Sequence, residues 1–410
     1  MATLPLGLVS VATAVRLAGN DIKILDVPAD KDHRSVITTA VDSFQPDCIG
    51  LSIRNIDDQT MEPTRFLLPP LRAIVTACRA ATDAPVIIGG AGYSIFPESC
   101  LSYLGADMGI RGEGEQVLPA VLRHIRNGTA VSGIPGVYLP GRVPRQQLSI
   151  AADMEVLPYA APDLWPCPES DRRRVWLPFQ TRRGCPMNCS YCSTADIEGT
   201  RLRQRSPDTV IDSLKRAAAA GYRQFFCTDN TFNIPSSYAA ALCRKLASAG
   251  LDLSWMCIIY PCAIDEALVR DMAQSGCSEI SLGFESGCRR ILQNMNKRYT
   301  PDDVRSCAEL FARHGIRQTG YLLLGGPGED RASVLESLAF ADSLPLDSLK
   351  ITSGIRLYPH TLLAAAAVRE GKIDPHDDLL YPRFYMTEGL GSWLKETTRE
   401  WAARRPHWQL

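Results

Sequence analysis

The sequence predicts two α/β units joined by a proline-rich stretch, the second a partial TIM-type parallel barrel of six strand–helix repeats. Three observations predict it. From residue 175 to 360, six apolar strand candidates alternate with helical patterns, as a parallel barrel requires. The first 130 residues carry a shorter alternation in which glycine turns follow buried strands, the pattern of a doubly wound, Rossmann-like sheet. Between the two, prolines stand at 135, 140, 144, 158, 162, 166 and 168, and again at 178, without sustained periodicity, which reads as an extended connection. The expected domains are therefore 1–133, a linker 134–174, a barrel 175–360 and a C-terminal extension 361–410.

In chain order, residues 4–15 are apolar, but no basic segment precedes them and their pattern continues to Leu17. This is an amphipathic helix rather than a signal-peptide core. Strands follow at 21–27, 48–53, 86–89 and 108–110. Gly89-Gly90-Ala91-Gly92 after a buried strand and Gly112-Glu113-Gly114-Glu115 before a helix are turns of the kind that approach a phosphate, although any doubly wound sheet needs such glycines. Barrel strands are expected at 175–181, 224–228, 253–259, 279–284, 318–324 and 348–355. Ser206-Pro207 and Thr300-Pro301 each place a hydroxyl N-cap before a proline at the first helical position. Active-site residues of such barrels lie at the carboxyl ends of strands.

A net charge of −1 and an apolar fraction of 45 % give neither a nucleic-acid footprint nor disorder. Arg172, Arg173 and Arg174 read as a solvated linker face. No apolar stretch approaches a membrane span, so a cytoplasmic protein is expected. In that compartment the 14 cysteines should be reduced thiols or cluster ligands. Cys78 continues the stripe Leu71, Ile74, Val75, and Cys307 lies between Val304 and Leu310/Phe311, so both read as core.

Three cysteines stand apart: Cys185, Cys189 and Cys192 in Arg183-Gly184-Cys185-Pro186-Met187-Asn188-Cys189-Ser190-Tyr191-Cys192. Three thiolates on one tight loop can hold three irons of a 4Fe–4S cube and leave the fourth open. A structural zinc site is the weaker reading, because no fourth Cys or His lies nearby in sequence. This spacing, with an aromatic before the last cysteine, resembles the signature of the radical S-adenosylmethionine (SAM) superfamily. The resemblance implies that SAM chelates the open iron and that an electron from an external donor, such as a flavodoxin or ferredoxin, cleaves it to a 5'-deoxyadenosyl radical. It extends to the other strand ends: Thr228-Asp229-Asn230, Ser281-Leu282-Gly283-Phe284-Glu285, Leu324-Gly325-Gly326-Pro327-Gly328-Glu329 and Ile355-Arg356. Candidate SAM contacts are Tyr191, Asp229, Asn230, Ser281, Glu285, Gly325 and Arg356, whose charges suit the amino, ribose and carboxylate groups. The plain alternatives are a turn for each glycine and a helix cap for each charge.

In the first unit, the order Pro5-Leu6-Gly7, Leu25-Asp26, Gly50-Leu51-Ser52-Ile53, Ile88-Gly89-Gly90 and Gly112-Glu113-Gly114 resembles the cobalamin-binding domain found ahead of many radical SAM domains. The candidate cobalamin contacts are Ser52, Arg54, Asn55, Gly89, Gly90, Gly92 and Glu113. Two departures stand out. The Asp-x-His-x-x-Gly motif is missing, His33 being the sole histidine of the first hundred residues, and only four residues precede Pro5, where this family usually has a strand. Either the chain starts late or the sheet exposes an edge. Arg54 either sits beneath the corrin, disfavouring a lower axial ligand, or pairs with Asp57 or Asp58.

The combined resemblance implies a cobalamin-dependent radical SAM methyltransferase that methylates an unactivated carbon of a small-molecule or natural-product precursor through methylcobalamin and a 5'-deoxyadenosyl radical. A cyclase or ring-rearranging enzyme, or a non-enzymatic cobalamin or cluster sensor, are the alternatives. A methylthiotransferase would need three more cluster cysteines and a C-terminal RNA-binding barrel for which no room remains. The aromatics Tyr381, Phe384, Tyr385, Trp393 and Trp401 either cover the barrel mouth or pack.

Overall fold

The computed structural model describes residues 4–27, 33–142, 144, 147–405 and 408–409. In the N-terminal unit, β1 (Ile49–Ser52), β2 (Val86–Gly89) and β3 (Met108–Ile110) run parallel, and β4 (Val137–Tyr138) closes the sheet antiparallel to β3. The residues of β2 and β3 are almost wholly apolar because the sheet is covered on both faces. Ile88 packs with the helices His33–Phe44 and Leu68–Ala81, while Ile87 packs with Gly114–Arg126. The helix Leu6–Leu17 lies on Gly114–Arg126.

Segment 21–27 is not a strand. Ile22 and Ile24 are half-buried between exposed Lys23 and Leu25, so the alternation is real, but no backbone pairs with it among the described residues. A two-residue burial period without a ladder partner makes an extended segment, not a strand. The strand β4 lies inside the expected linker. That linker packs closely, with Ala151, Met154, Leu157 and Trp165 buried and the Ala161 N–H donating to Thr13 Oγ1.

The second unit contains β5 (Trp176–Phe179), the short antiparallel pair β6 (Arg182–Arg183) and β7 (Arg203–Gln204), then β8 (Gln224–Cys227), β9 (Ser254–Ile259), β10 (Cys277–Glu285), β11 (Arg317–Leu324) and β12 (Ser348–Ser353). Its sheet is parallel throughout, in the order β15-β12-β11-β10-β9-β8-β5, where β15 (Trp408–Gln409) adds a two-residue edge that its length hides from sequence patterning. Ile280, Leu282, Phe284, Leu322, Leu324 and Ile351 face the surrounding helices and are buried. Gly283, Tyr321 and Lys350 are register neighbours on the opposite, inner face. Both hydroxyl N-caps form: Ser206 accepts from the Thr209 N–H, and Thr300 makes a capping box with Asp303. Each contributes about 1 kcal/mol.

The sixth strand is shorter than the expected 348–355. Gly354, at φ +80°, turns the chain out of the sheet, and β13 (Ile355–Arg356) pairs antiparallel with β14 (Phe384–Tyr385) of the extension. The extension's aromatics mostly pack on the flanks. Tyr381 meets Phe66 at 5.0 Å and Tyr103 at 6.2 Å, and Trp401 meets Trp408 at 4.4 Å. Arg172 is less solvated than its run suggested, since it donates to the Ala220 carbonyl and covers the Tyr222 ring. All 14 cysteines are free thiols, with Cys78 and Cys307 buried. Among the described residues no helix is long and apolar enough to cross a membrane.

Candidate active site

The three-cysteine loop leaves the barrel after β5 and β6. Its entry is fixed by a fully buried ion pair: Arg182 Nε donates to Asp229 Oδ2 at 3.0 Å, and the same carboxylate accepts from the Thr181 and Arg182 backbone and from Thr181 Oγ1. Asp229 is thereby consumed. Each of its oxygens already accepts two hydrogen bonds, so its acceptor positions are filled from within the chain. Asn230 donates to Glu198 Oε2 at 2.7 Å, and Glu198 also accepts from the Gly184 N–H and Gln180. Gly184 has φ +88°, and a Cβ there would lie 2.1 Å from the Arg201 carbonyl oxygen, so only glycine lets the loop turn.

On the far side, the Ser190 N–H donates to the Met295 carbonyl, Asn296 Nδ2 to Asn188 O at 2.6 Å, and Arg298 to Pro186 O. Ser190 O accepts from the Leu363 N–H, at the start of an extension helix. Cys185 and Cys189 are half-buried and Cys192 is exposed. Burial pushes Cys185 and Cys189 up, the neighbouring cysteines add to this, and Lys297 draws Cys189 back down. Thiols that resist ionising together need a cationic centre to become thiolates, which is what iron supplies. Among the described residues no three His, Cys, Asp or Glu side chains close on a single metal ion.

At the remaining strand ends, Glu285 adopts φ +60°, and its Oε1 lies 3.2 Å from Lys297 Nζ. Tyr191 stacks its ring beside the same ammonium, 5.2 Å from the ring centre. Ser281 lies in β10, in register with Thr319. Gly325, at φ +97°, lies under Met386, and its N–H is held by Glu329. Glu329 is buried with Oε1 unpartnered, and burial pushes its carboxyl up to about 7 although the Gly325 and Gly326 N–H groups oppose the shift.

Arg356 is engaged within the protein. Its Nε donates to Asp57 Oδ2 at 2.8 Å, its other nitrogens reach the Leu357 and Leu379 carbonyls, and it is buried between the Phe96 and Tyr358 rings. The residue therefore joins the barrel to the N-terminal unit. Glu113 is likewise engaged within the protein. Its carboxylate binds Arg203 at 2.6 Å, the Ala151 N–H at 2.6 Å and Arg183 at 3.3 Å, and is buried. Glu115 binds Arg183 at 2.6 Å; burial alone would raise its carboxyl, but Arg183 overrides this and holds it below the usual range. Arg111 binds Asp196 at 2.9 Å. Residues 111–115 thus grip the cysteine loop at both ends, through Arg183 before Cys185 and Asp196 after Cys192.

The other N-terminal candidates do come together. Ile53 N donates to Gly89 O and Gly92 N to Ile53 O. Gly90 has φ +104°, and a Cβ there would lie 2.6 Å from Ile53 O; at Gly92 it would lie 3.0 Å from Arg54 O. The two strand ends are pressed backbone to backbone, and Ser52, Arg54 and Asn55 stand exposed above them. Their hydroxyl, guanidinium and amide donors suit the amide and phosphate groups of a corrinoid. Asp57 is taken by Arg356, and Asp58 by the Thr60 and Arg65 N–H groups. The loop beyond reaches the barrel mouth, where the Met61 sulfur fills the space beside Gly354, 2.6 Å from where a Cβ would be.

Lys297, Glu198, Glu115, Arg183 and Arg203 were not named as site residues from the sequence. Arg183 directly precedes the cysteine motif, which was the one local signal. The rest meet their partners only across the fold.

Residues 180–341 match the family model of the Radical SAM superfamily, and residues 2–122 match the B12 binding domain. The chain is 27 % identical to the uncharacterized methyltransferase PH0819 of Pyrococcus horikoshii over 89 % of this chain and 78 % of that protein. It is 25 % identical to the cytidylyl-2-hydroxyethylphosphonate methyltransferase of Streptomyces wedmorensis, over 98 % and 85 %. Its fold resembles that of the radical SAM methyltransferase TsrM from Kitasatospora setae, solved with cobalamin and a [4Fe-4S] cluster, at TM-score 0.80 and 24 % identity over 90 % of this chain and 72 % of that one.

Proposed function

The chain belongs to the radical SAM superfamily and carries a B12-binding domain, and on that premise we propose that it is a cobalamin-dependent methyltransferase acting on an unactivated carbon of a small-molecule or natural-product precursor. Its cofactors are a 4Fe–4S cluster, SAM and cobalamin. When bound, the cluster and SAM supply a 5'-deoxyadenosyl radical and cobalamin supplies the methyl group. The chain's own work is to hold these groups against one substrate and exclude water.

The observation that carries this reading is the grip of residues 111–115 on both flanks of the cysteine loop. A cobalamin domain that merely preceded the barrel would not need three buried arginine–carboxylate contacts to the cluster loop. In this reading Cys185, Cys189 and Cys192 hold the cluster, while Tyr191, Ser281, Glu285 and the Gly325 backbone border SAM. Ser52, Arg54, Asn55, Gly89, Gly90 and Gly92 face cobalamin. Asp229, Asn230, Glu113 and Arg356 position these groups without touching them. An external one-electron donor of the flavodoxin or ferredoxin kind completes the system. Methyltransferase names among the relatives support the reaction class.

The test is product stoichiometry. Protein reconstituted with all three cofactors is incubated with cell lysate and methyl-labelled SAM, and the labelled product is isolated. One S-adenosylhomocysteine and one 5'-deoxyadenosine are expected per methylated product. 5'-Deoxyadenosine alone would indicate a cyclase or ring rearrangement, and S-adenosylhomocysteine alone a polar methylation.

A further inference from the structure

The turn 295–298, which joins two barrel helices, clasps the cysteine loop residue by residue: Met295 to Ser190, Asn296 to Asn188, and Arg298 to Pro186. Lys297 points the opposite way from its neighbours, inward. Its side chain is only 5 % exposed, and its ammonium sits 3.2 Å from Glu285 among the rings of Tyr191, Tyr299 and Tyr260, at 5.2, 5.8 and 5.9 Å. That box is rigid. The Tyr299 hydroxyl donates to Gly283 O, and the Tyr260 hydroxyl accepts from the Arg298 N–H. Tyrosine faces favour a cation, and burial keeps its field unscreened. The pair with Glu285 holds the ammonium against the ring of Tyr191, the residue that stands between Cys189 and Cys192 in the loop.

We propose that Lys297 is a positioning charge for the cluster, a buried cation beside the cysteine loop that makes the cube easier to reduce. Reduction adds one electron and no proton, so the cluster becomes more negative by one charge. A fixed cation beside the cluster loop stabilises that form more than the oxidised one, since cluster potentials follow the net charge around the cluster. Glu285 partly offsets the cation, so the two residues set the potential with opposite signs.

This rests on the reading that Cys185, Cys189 and Cys192 hold the cluster. The test is an electron paramagnetic resonance redox titration of the full chain, cluster-reconstituted and without SAM, alongside iron and sulfide analysis. Lys297→Met should lower the reduction equilibrium constant about tenfold, a shift of about 59 mV for one electron. Lys297→Arg should stay near the native value, and Glu285→Gln should shift the midpoint upward. A native midpoint in Lys297→Met with full iron and sulfide overturns the proposal, as does a Lys297→Arg shift equal to that of Lys297→Met. Should Lys297→Met assemble no cluster, Glu285→Gln decides: an upward shift supports the proposal and an unchanged or lower midpoint overturns it. A native protein that takes up no iron and sulfide fails the cluster reading itself, whereas a native cluster with unmoved variants fails only the role of Lys297.

Discussion

Around residues 182–198 nearly every approach is charged and paired: Arg182 with Asp229, Arg183 with Glu113 and Glu115, Asp196 with Arg111, and Glu198 with Gln180, Asn230 and the Gly184 N–H. At the ends of β1 and β2, by contrast, shape comes from glycine. Gly90 and Gly92 let two strand ends lie against each other, and the polar side chains above them stand exposed. Under the proposed function, the difference teaches how each region would meet its cofactor. A loop that must hold thiols at fixed separations needs bracing from all sides, because a buried ion pair with one partner removed is costly and so enforces geometry. A surface that receives a large flat cofactor needs clearance instead.

The comparison breaks first at the pair that joins the barrel to the N-terminal unit. Arg356→Met strands the Asp57 carboxylate in a buried setting and should destabilise the protein by about 3–5 kcal/mol in denaturant unfolding. Adding Asp57→Leu should recover most of that loss, since an apolar pair of similar volume needs no desolvated charge. Equal stability of the single and double variants would show that Arg356 acts through its carbonyl contacts instead.

A smaller effect sharpens the comparison at the barrel mouth. Glu329 titrates at about 7 in the fold against an ordinary 4.5, so between these values the folded protein keeps a proton that the unfolded chain has lost. Its contribution to stability is therefore fully present below 4.5 and is lost as pH rises through 7. The loss amounts to about 3 kcal/mol. Glu329→Gln, which is neutral at every pH, should flatten the fall in melting temperature between about pH 5 and pH 8 and should be the more stable protein at the upper end. A parallel pair of pH profiles would remove Glu329 from the account.

Much of this was legible in the sequence because it is local. The strands β2 and β3 end where an apolar run meets a glycine turn, the barrel strands follow from alternation, and the cysteine spacing carries its own chemistry. What was not legible is the use of charge. Asp229, Glu113 and Arg356 were read as cofactor contacts because carboxylates and arginines at strand ends bind ligands, but the same residue types make buried ion pairs, and nothing local separates the two. Asp57 and Arg356 are 299 residues apart, and Glu113 and Arg203 are 90 apart. The strand expected at 21–27 failed for the same reason, since alternation says which face is buried and not whether a neighbour exists to pair with.

The central claim is that the N-terminal unit holds cobalamin against the cluster loop, with the two cofactors facing one another across the barrel mouth. Electron paramagnetic resonance of protein carrying both cob(II)alamin and the reduced cluster tests it most directly, because two unpaired spins held close together relax and broaden each other. The account predicts a cluster signal that is broadened when cobalamin is bound and returns to its isolated form when cobalamin is omitted; two unperturbed signals simply superimposed in the doubly loaded protein would contradict it.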